Sequence, residues 1–274
     1  MGRLDGKVAL ITGAARGQGR SHAIRLAQEG ARIVACDICD QIPSVYYDLA
    51  SKEDLDETAR LVEAEGGEIV TGVADVRDKS ALQAVHDAGV AAFGHIDTVV
   101  CNAGVLSWIK QGAEEQAWFD TIGVNLTGVW QTIEVCVPGM IARGRGGAII
   151  ITSSAAGLGS IGLNTYPGSA AYSAAKHGVV GLMRLYASQL GPHSIRVNTV
   201  HPGGVDSMMV MNPEYQQYVA ENPETTTGPK FQKPMPGGLL SPLEISNAIV
   251  YLASDEAQYV TGITMPVDGG YLNR

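Results

Sequence analysis

Positive charge is scarce in this chain, aromatic residues are scarcer, and long apolar runs are missing. Its 19 lysines and arginines face 28 aspartates and glutamates, for a net charge of −9. A nucleic-acid partner calls for clustered basic side chains, so that class of function is set aside. The most basic stretch, Arg-Gly-Arg-Gly-Gly at 143–147, reads as a solvated turn before a strand. No segment approaches the ~18 apolar residues of a membrane span, and the opening MGRLDGKVALITG lacks the charged-then-apolar layout of a signal peptide. A cytoplasmic protein without a membrane partner is expected.

Cysteine is also sparse. Cys36, Cys39, Cys101 and Cys136 read as reduced thiols in an intracellular chain. Cys36-x-x-Cys39 invites a redox or zinc reading, but Cys36 falls in an apolar strand pattern and no second Cys/His pair follows at ligand spacing. No metal site is expected. Asn125-Leu-Thr127 matches a glycosylation sequon, an accidental match in a cytosolic protein.

What the chain does have is 34 glycines, a 45% apolar composition and a regular alternation of two kinds of segment. Val- and Ile-rich runs at 7–12, 32–37, 68–74, 97–101, 147–152, 195–201 and 263–267 show little polar alternation, as parallel strands buried on both faces do. Helical patterns lie between them, at about 18–29, 52–65, 79–93, 115–143, 170–190 and 242–253. Ser241-Pro242 supplies a cap and a first-turn proline for the last of these. The order predicts an α/β fold, a doubly wound parallel sheet with helices on both faces, in one domain over 1–274. Two stretches break the rhythm: an insertion at 38–51, and a proline- and methionine-rich loop region at 204–240 that is long enough to suggest a functional role.

The first strand ends in Thr12-Gly13 and runs through Arg16 into Gly17-Gln18-Gly19 at a helix start. Glycines there permit a tight turn and close approach of a pyrophosphate to the helix N-terminus. An acidic residue, Asp37, ends the second strand 18 positions beyond Gly19. A carboxylate there can accept from ribose hydroxyls and repels a 2′-phosphate. Arg16 pulls the other way, since a cation in that loop pairs with phosphate. The placement of Asp37 favours NAD over NADP. Asp75-Val76, closing the third strand, offers an acceptor for an adenine amino group; a turn-capping role for Asp75 is almost equal in weight. Asn102-Ala103-Gly104 closes the fourth strand with small residues that leave room for the adenosine ribose.

Tyr172 and Lys176 stand at i and i+4, which places phenol and ammonium on one helix face. A tyrosine of ordinary pKa near 10 is a poor base until a positive neighbour favours its ionised form. With the dinucleotide turn on the same chain, the pair reads as proton transfer coupled to hydride transfer. Tyr166, six residues earlier, is a rival base, but it has no lysine at i+4.

Together, Thr12-Gly13-x-x-x-Gly17-x-Gly19, Asp75, Asn102-Ala-Gly, Asn125, Ser153-Ser154, Tyr172-x-x-x-Lys176 and Pro202-Gly203 resemble the short-chain dehydrogenase/reductase family over essentially the whole length. The resemblance implies a Rossmann-type seven-stranded sheet, a nicotinamide cofactor and a homotetramer. Tyr172 would be the acid/base, Lys176 would hold the nicotinamide ribose, and Ser154 would polarise the substrate oxygen. Asn125 would support a water relay, and Pro202-Gly203-Gly204-Val205 would pass the carboxamide. Two departures stand out. Ser154 lies 18 residues before Tyr172, an insertion around 161–169 lengthening the usual spacing, and Arg20-Ser21-His22 replaces the usual apolar start of the helix.

Gly-Gln-Gly-Arg-Ser-His, the Ile42-Pro43-Ser44-Val45-Tyr46 insertion and Ala175-Lys176-His177-Gly-Val-Val-Gly-Leu are similar to the mycofactocin-associated subgroup, which includes carveol dehydrogenases. This implies an NAD held without exchange in each cycle, with electrons passed to a separate carrier such as mycofactocin. The 38–51 insertion is expected to fold over the adenosine end; the alternative is a surface excursion packing on the next subunit. Trp108, Met208, Met209, Met211, Tyr215, Phe231 and Met235 suggest an adaptable apolar substrate pocket, with Lys230 and Lys233 as the nearest cations. The expected substrate is a small hydrophobic secondary alcohol or ketone, such as a cyclic terpenoid. Two further readings stay open: a 3-oxoacyl-thioester or hydroxysteroid reductase using exchanging NAD(P), and a non-catalytic dinucleotide-sensing protein.

Overall fold

Short runs of valine, isoleucine and alanine form the sheet, and each sends alternate side chains into two separate cores. The computed structural model describes residues 2–108, 112, 114–159, 164–223 and 233–273. The strands are β1 (Val8–Thr12), β2 (Arg32–Asp37), β3 (Ile69–Val73), β4 (Thr98–Cys101), β5 (Gly147–Thr152), β6 (Ile195–Pro202) and β7 (Thr264–Val267). They pair in the order β3-β2-β1-β4-β5-β6-β7, every pair parallel. All seven expected strands are present, their ends within a residue or so of expectation.

The period of two explains why these strands showed no polar alternation. Val8, Leu10, Val34, Val99, Ile149 and Ile151 face one core; Ala9, Ile11, Ile33, Val100 and Ile150 face the other. The first core is closed by α3 (Lys79–Phe93), α5 (Gly128–Arg143) and α6 (Pro167–Leu190), through residues such as Leu82, Ile133 and Met183. The second is closed by α1 (Gly17–Gln28), α2 (Lys52–Ala64) and the helix Pro242–Ala253, through Leu26, Leu55 and Ile249. Each fully buried Leu or Ile contributes about 1.5–3 kcal/mol of transfer free energy.

Local chemistry fixes the helix ends. Ser51 and Asp54 form a reciprocal capping box on α2, and the Asp78 carboxylate accepts from Ser80 and Ala81 at the start of α3. Ser241 caps the helix after it, with Pro242 in the first turn. The expected helix at 115–143 is in fact three pieces: α4 (Glu114–Ile122), a π-helical turn at Gly123–Thr127, and α5. A second departure is α7 (Pro213–Glu221) inside the expected loop; Pro242–Ala253 is then α8, the eighth α-helix among the described residues. The strand order reverses between β1 and β4, so the crevice at their C-terminal ends is where such a sheet binds ligands.

The 38–51 insertion has no regular structure, yet Ile42, Val45, Tyr46 and Tyr47 are buried against their own chain. The Gln41 amide ties the loop internally, donating to the Val45 carbonyl at 2.9 Å and accepting from Leu49 N at 2.9 Å. Ser44 donates to Asp120 at 2.7 Å, and Ser107 donates to the Ser44 carbonyl at 2.6 Å. Most apolar side chains of the insertion are thereby buried within the chain.

Candidate active site

A cavity of about 900 Å³ opens at the C-terminal ends of the strands. Gly13, Arg16, Gly17, Gln18, Gly19, Asp37, Asp75, Val76, Asn102, Ala103, Gly104, Pro202, Gly203 and Val205 all line it, as do Ser154, Tyr172 and Lys176. Of the expected site residues only Asn125 stands behind the wall, fully buried in the π-helical turn.

At one end the glycine turn carries the chain from β1 into α1. Gly13 has φ +66°, and a Cβ there would lie 2.7 Å from the Ala103 backbone; one on Gly19 would lie 1.9 Å from the Gly13 carbonyl oxygen. No other residue type fits these two positions. The turn is fastened by groups the sequence did not announce. Thr12 Oγ1 accepts from the backbone N–H groups of Asn102 and Ala103, both at 3.1 Å, and Asn102 Nδ2 donates to Gly13 O at 3.1 Å. Arg20 Nη2 donates to the Ala15 carbonyl at 2.6 Å and to the Asp54 carbonyl at 2.8 Å, while His22 Nδ1 meets Ser246 Oγ at 2.8 Å. The unusual Arg-Ser-His start of α1 thus braces the turn against α2 and α8.

Asp37 accepts from Ala15 N at 2.9 Å and from Ile38 N at 2.8 Å. Burial raises its pKa, and these two N–H groups oppose the rise. Arg16 lines the cavity, and its guanidinium donates to the Asp48 carbonyl, strapping the insertion across the turn. Asp75 takes the turn-capping role, accepting from Arg77 N at 2.9 Å and from Arg77 Nε at 2.8 Å, and Arg77 continues to Asp120 at 2.6 Å. The chain Ser44–Asp120–Arg77–Asp75 therefore links the insertion to the end of β3.

At the other end β5, α6 and the π turn converge. Tyr172 is buried, which raises its phenol pKa; the Ser154 hydroxyl acts in the opposite sense. Lys176 Nζ lies 5.5 Å from the Tyr172 ring centre and donates to the Thr152 carbonyl at 2.8 Å. Burial lowers the Lys176 pKa to about 8. At the phenol, burial outweighs the Ser154 hydrogen bond. Ser154 Oγ accepts from Ala156 N at 3.1 Å, which leaves its own O–H to donate into the cavity. Asn125 Nδ2 donates to the Val105 and Thr121 carbonyls at 2.8 and 2.9 Å, while its buried Oδ1 has no protein partner. A Cβ on Gly104 would lie 2.8 Å from that oxygen and 3.5 Å from Lys176 Nζ, so both groups border the space that Gly104 leaves. The π turn that sets Asn125 here is a common device at functional sites. Tyr166, the rival base, is 39% exposed at the start of α6 and is absent from the cavity lining.

Beyond Tyr172 the wall turns apolar. Trp108 stacks on Tyr215 of α7 with ring centres 4.8 Å apart and planes within 6°. Its indole N–H donates to the Tyr46 hydroxyl of the insertion. Met208, Met209, Met235 and Lys233 complete this wall; Met211 is exposed, and Phe231 and Lys230 lie outside the described residues. Cys36, Cys101 and Cys136 are buried with thiol pKa values pushed up, and no group of metal-ligating side chains occurs among the described residues. No described helix is long and apolar enough to cross a membrane.

With this geometry in view, comparisons with known proteins are informative. The family described as enoyl-(acyl carrier protein) reductase matches residues 13–272. An uncharacterized oxidoreductase of Mycobacterium tuberculosis (strain CDC 1551 / Oshkosh) is 51% identical, covering 99% of this chain and 98% of that one. (−)-trans-Carveol dehydrogenase of Rhodococcus erythropolis is 42% identical over 98% of this chain and 99% of its own. Among solved structures, carveol dehydrogenase from Mycobacterium avium in complex with NAD is 46% identical and superposes with a TM-score of 0.91 over the whole of both chains.

Proposed function

Because this chain belongs to the short-chain dehydrogenase/reductase family, we propose that it interconverts a small hydrophobic secondary alcohol, of the cyclic terpenoid kind, and its ketone with NAD. One observation carries the reading: Ser154, Tyr172 and Lys176 line the same cavity as the glycine turn, between it and an apolar wall. The residues present fit a dinucleotide. The N-terminal turn of α1 carries no acidic side chain and no side-chain cap, so its N–H groups suit a pyrophosphate. Gln18 Oε1 and Asn125 Oδ1 are buried acceptors without protein partners at the two ends of the cleft. Asp37 at the end of β2 favours the unphosphorylated ribose.

The cofactor would supply a hydride acceptor at C4 of its nicotinamide. The protein manages the proton and the orientation. Ser154 donates its hydroxyl hydrogen to the substrate oxygen, and Tyr172 exchanges a proton with it. The Lys176 ammonium would hold the nicotinamide ribose, and its charge would favour the phenolate. Asn125 Oδ1 offers an acceptor for a water that passes the proton outward past Gly104. Pro202, Gly203 and Val205 would hold the carboxamide, and Asp75 and Val76 would border the adenine; all five line the cavity. At the apolar wall, Trp108, Tyr215 and the three methionines favour a substrate without charge.

The cofactor is further proposed to stay bound between turnovers, with electrons leaving to a separate carrier such as mycofactocin. The insertion supports this, being buried, strapped by Arg16 and tied through Ser44 to Asp120. A homotetramer in the cytoplasm is the assembly proposed, and exposed Trp118, Phe119 and Trp130 on α4 and α5 suit such contacts. The test is to purify the protein, denature it and quantify released NAD, then assay carveol oxidation with an artificial electron acceptor. Stoichiometric NAD and turnover only with the acceptor are expected. Absence of bound NAD with rapid turnover on added NAD would replace trapping by the exchanging-cofactor reductase, and absence of turnover on any alcohol would favour a dinucleotide sensor.

A further inference from the structure

His201, one residue before the Pro-Gly turn at the end of β6, is wholly buried and has no part in the chemistry above. Its Nδ1 lies 2.7 Å from the backbone carbonyl oxygen of Ser154, and its Nε2 lies 2.8 Å from Thr199 Oγ1. A carbonyl oxygen only accepts, so Nδ1 carries the hydrogen and Nε2 accepts from the threonine hydroxyl. Both ring nitrogens are satisfied, and the tautomer is fixed.

The contact matters because of where Ser154 sits. The β5–β6 ladder ends here: Ser153 N donates to Val200 O at 2.8 Å, and Pro202 has no N–H to offer beyond it. Ser154 lies two residues past the end of β5, beyond this last ladder bond, in extended conformation, at the start of a single 3₁₀ turn. Its neighbours are fixed by other means: the Thr152 carbonyl by Lys176 Nζ, and the Ser153 hydroxyl by donating to the Lys176 carbonyl at 2.9 Å. The carbonyl of Ser154 itself accepts twice, from Gly157 N within the 3₁₀ turn at 2.8 Å and from the ring of His201, which ties it to β6.

We propose that His201 is a positioning residue, holding the Ser154 peptide so that the serine hydroxyl points at Tyr172 and the substrate oxygen. The inference rests on the role given to Ser154 above. Burial keeps the imidazole neutral, lowering its pKa to about 4, and Lys176 and His177 of α6 act in the same direction. Tyr172 is faced by Lys176, by Ser154 and by Tyr47 from the insertion. If Ser154 drifts, the phenol loses the one hydrogen-bonding neighbour that counters its burial, and its ionisation moves to higher pH.

The test uses full-length protein as purified, with its bound NAD content and thermal midpoint recorded for each variant. His201→Phe removes the donor, His201→Asn keeps an amide N–H near the Nδ1 position, and His201→Gln carries its amide one atom too far. Carveol oxidation with an artificial acceptor should show kcat down by about 10- to 100-fold in His201→Phe and His201→Gln, with the pH limb for activity moved upward. His201→Asn should stay within about threefold of the parent. Tyrosine ionisation, followed by ultraviolet difference spectra against Tyr172→Phe, gives the same comparison without any substrate. Equal losses in the Asn and Gln variants, or an unmoved Tyr172 titration in a folded Phe or Gln variant, would overturn the proposal. If Ser154→Ala itself leaves turnover intact, the reading of the site fails instead, and the two failures are distinguishable.

Discussion

The ammonium of Lys176 stands 5.5 Å from the ring centre of Tyr172 and spends a hydrogen bond on the Thr152 carbonyl, 2.8 Å away. The i, i+4 spacing delivers the pair to one face of α6, but the ammonium sits over the ring and does not bond the hydroxyl. Burial raises the phenol pKa, and the Ser154 hydroxyl opposes that rise. Tyr172→Phe should lower turnover at least about 10³-fold while NAD content stays unchanged. Tyr166→Phe, outside the cavity, should change kcat by less than about twofold. Steady-state kinetics on both variants, with released NAD quantified, checks the assignment.

Gly104 leaves the space bordered by Asn125 Oδ1 and Lys176 Nζ. Gly104→Ala places a methyl 2.8 Å from the first and 3.5 Å from the second. It should cut kcat about 10-fold or more by closing the proton exit, without loss of bound cofactor. A solvent isotope effect that differs from the parent's would identify proton transfer as the step affected. Wild-type kcat and isotope effect in the variant would argue against the relay.

Asp37 accepts from Ala15 N and faces the cavity at the end of β2. Asp37→Ser removes the charge that opposes a 2′-phosphate and should narrow NAD-over-NADP discrimination by about 10-fold or more. Reconstitution of cofactor-stripped protein with each dinucleotide, read by calorimetry, measures it. A stability loss of about 1 kcal/mol accompanies the change, because a charge-assisted bond to Ala15 N is weakened.

His22 is buried beside Ser246, and its pKa falls from the ordinary 6.5 to about 3. A depressed folded pKa means that the unfolded chain binds the proton first. The stability that neutral His22 supports is complete above pH 6.5 and is lost as pH falls through the window from 6.5 to about 3. His201 acts with the same sign down to about 4, whereas Asp37, its pKa raised by burial, opposes them. His22→Asn should flatten the acid limb of a thermal-midpoint profile by several degrees relative to the parent. Parallel profiles would contradict the assignment.

Much of this architecture was legible in the chain because its signals are local. Val- and Ile-rich runs bounded by glycine or an acidic residue marked every strand, since a strand buried on both faces needs no polar alternation. The glycine turn was legible for a similar reason: close backbone approach at Gly13 and Gly19 permits no other residue. The π turn at Gly123–Thr127 was not legible, because one slipped hydrogen-bond register leaves the apolar pattern of a long helix almost unchanged. Nor was the fate of Arg16. Its partner, the Asp48 carbonyl, is chosen by where two loops meet.

The sequence alone determined the doubly wound sheet, the residues of the cavity and the helical face shared by Tyr172 and Lys176, all consequences of short-range periodicity and sterics. Only the tertiary structure decided that the 38–51 insertion is strapped across the turn by Arg16, that Asn125 presents an unpartnered oxygen beside Lys176, and that His201 ties the Ser154 carbonyl to β6 where the β5–β6 ladder stops. Those outcomes depend on which distant groups are left to satisfy one another's hydrogen bonds once burial has removed water.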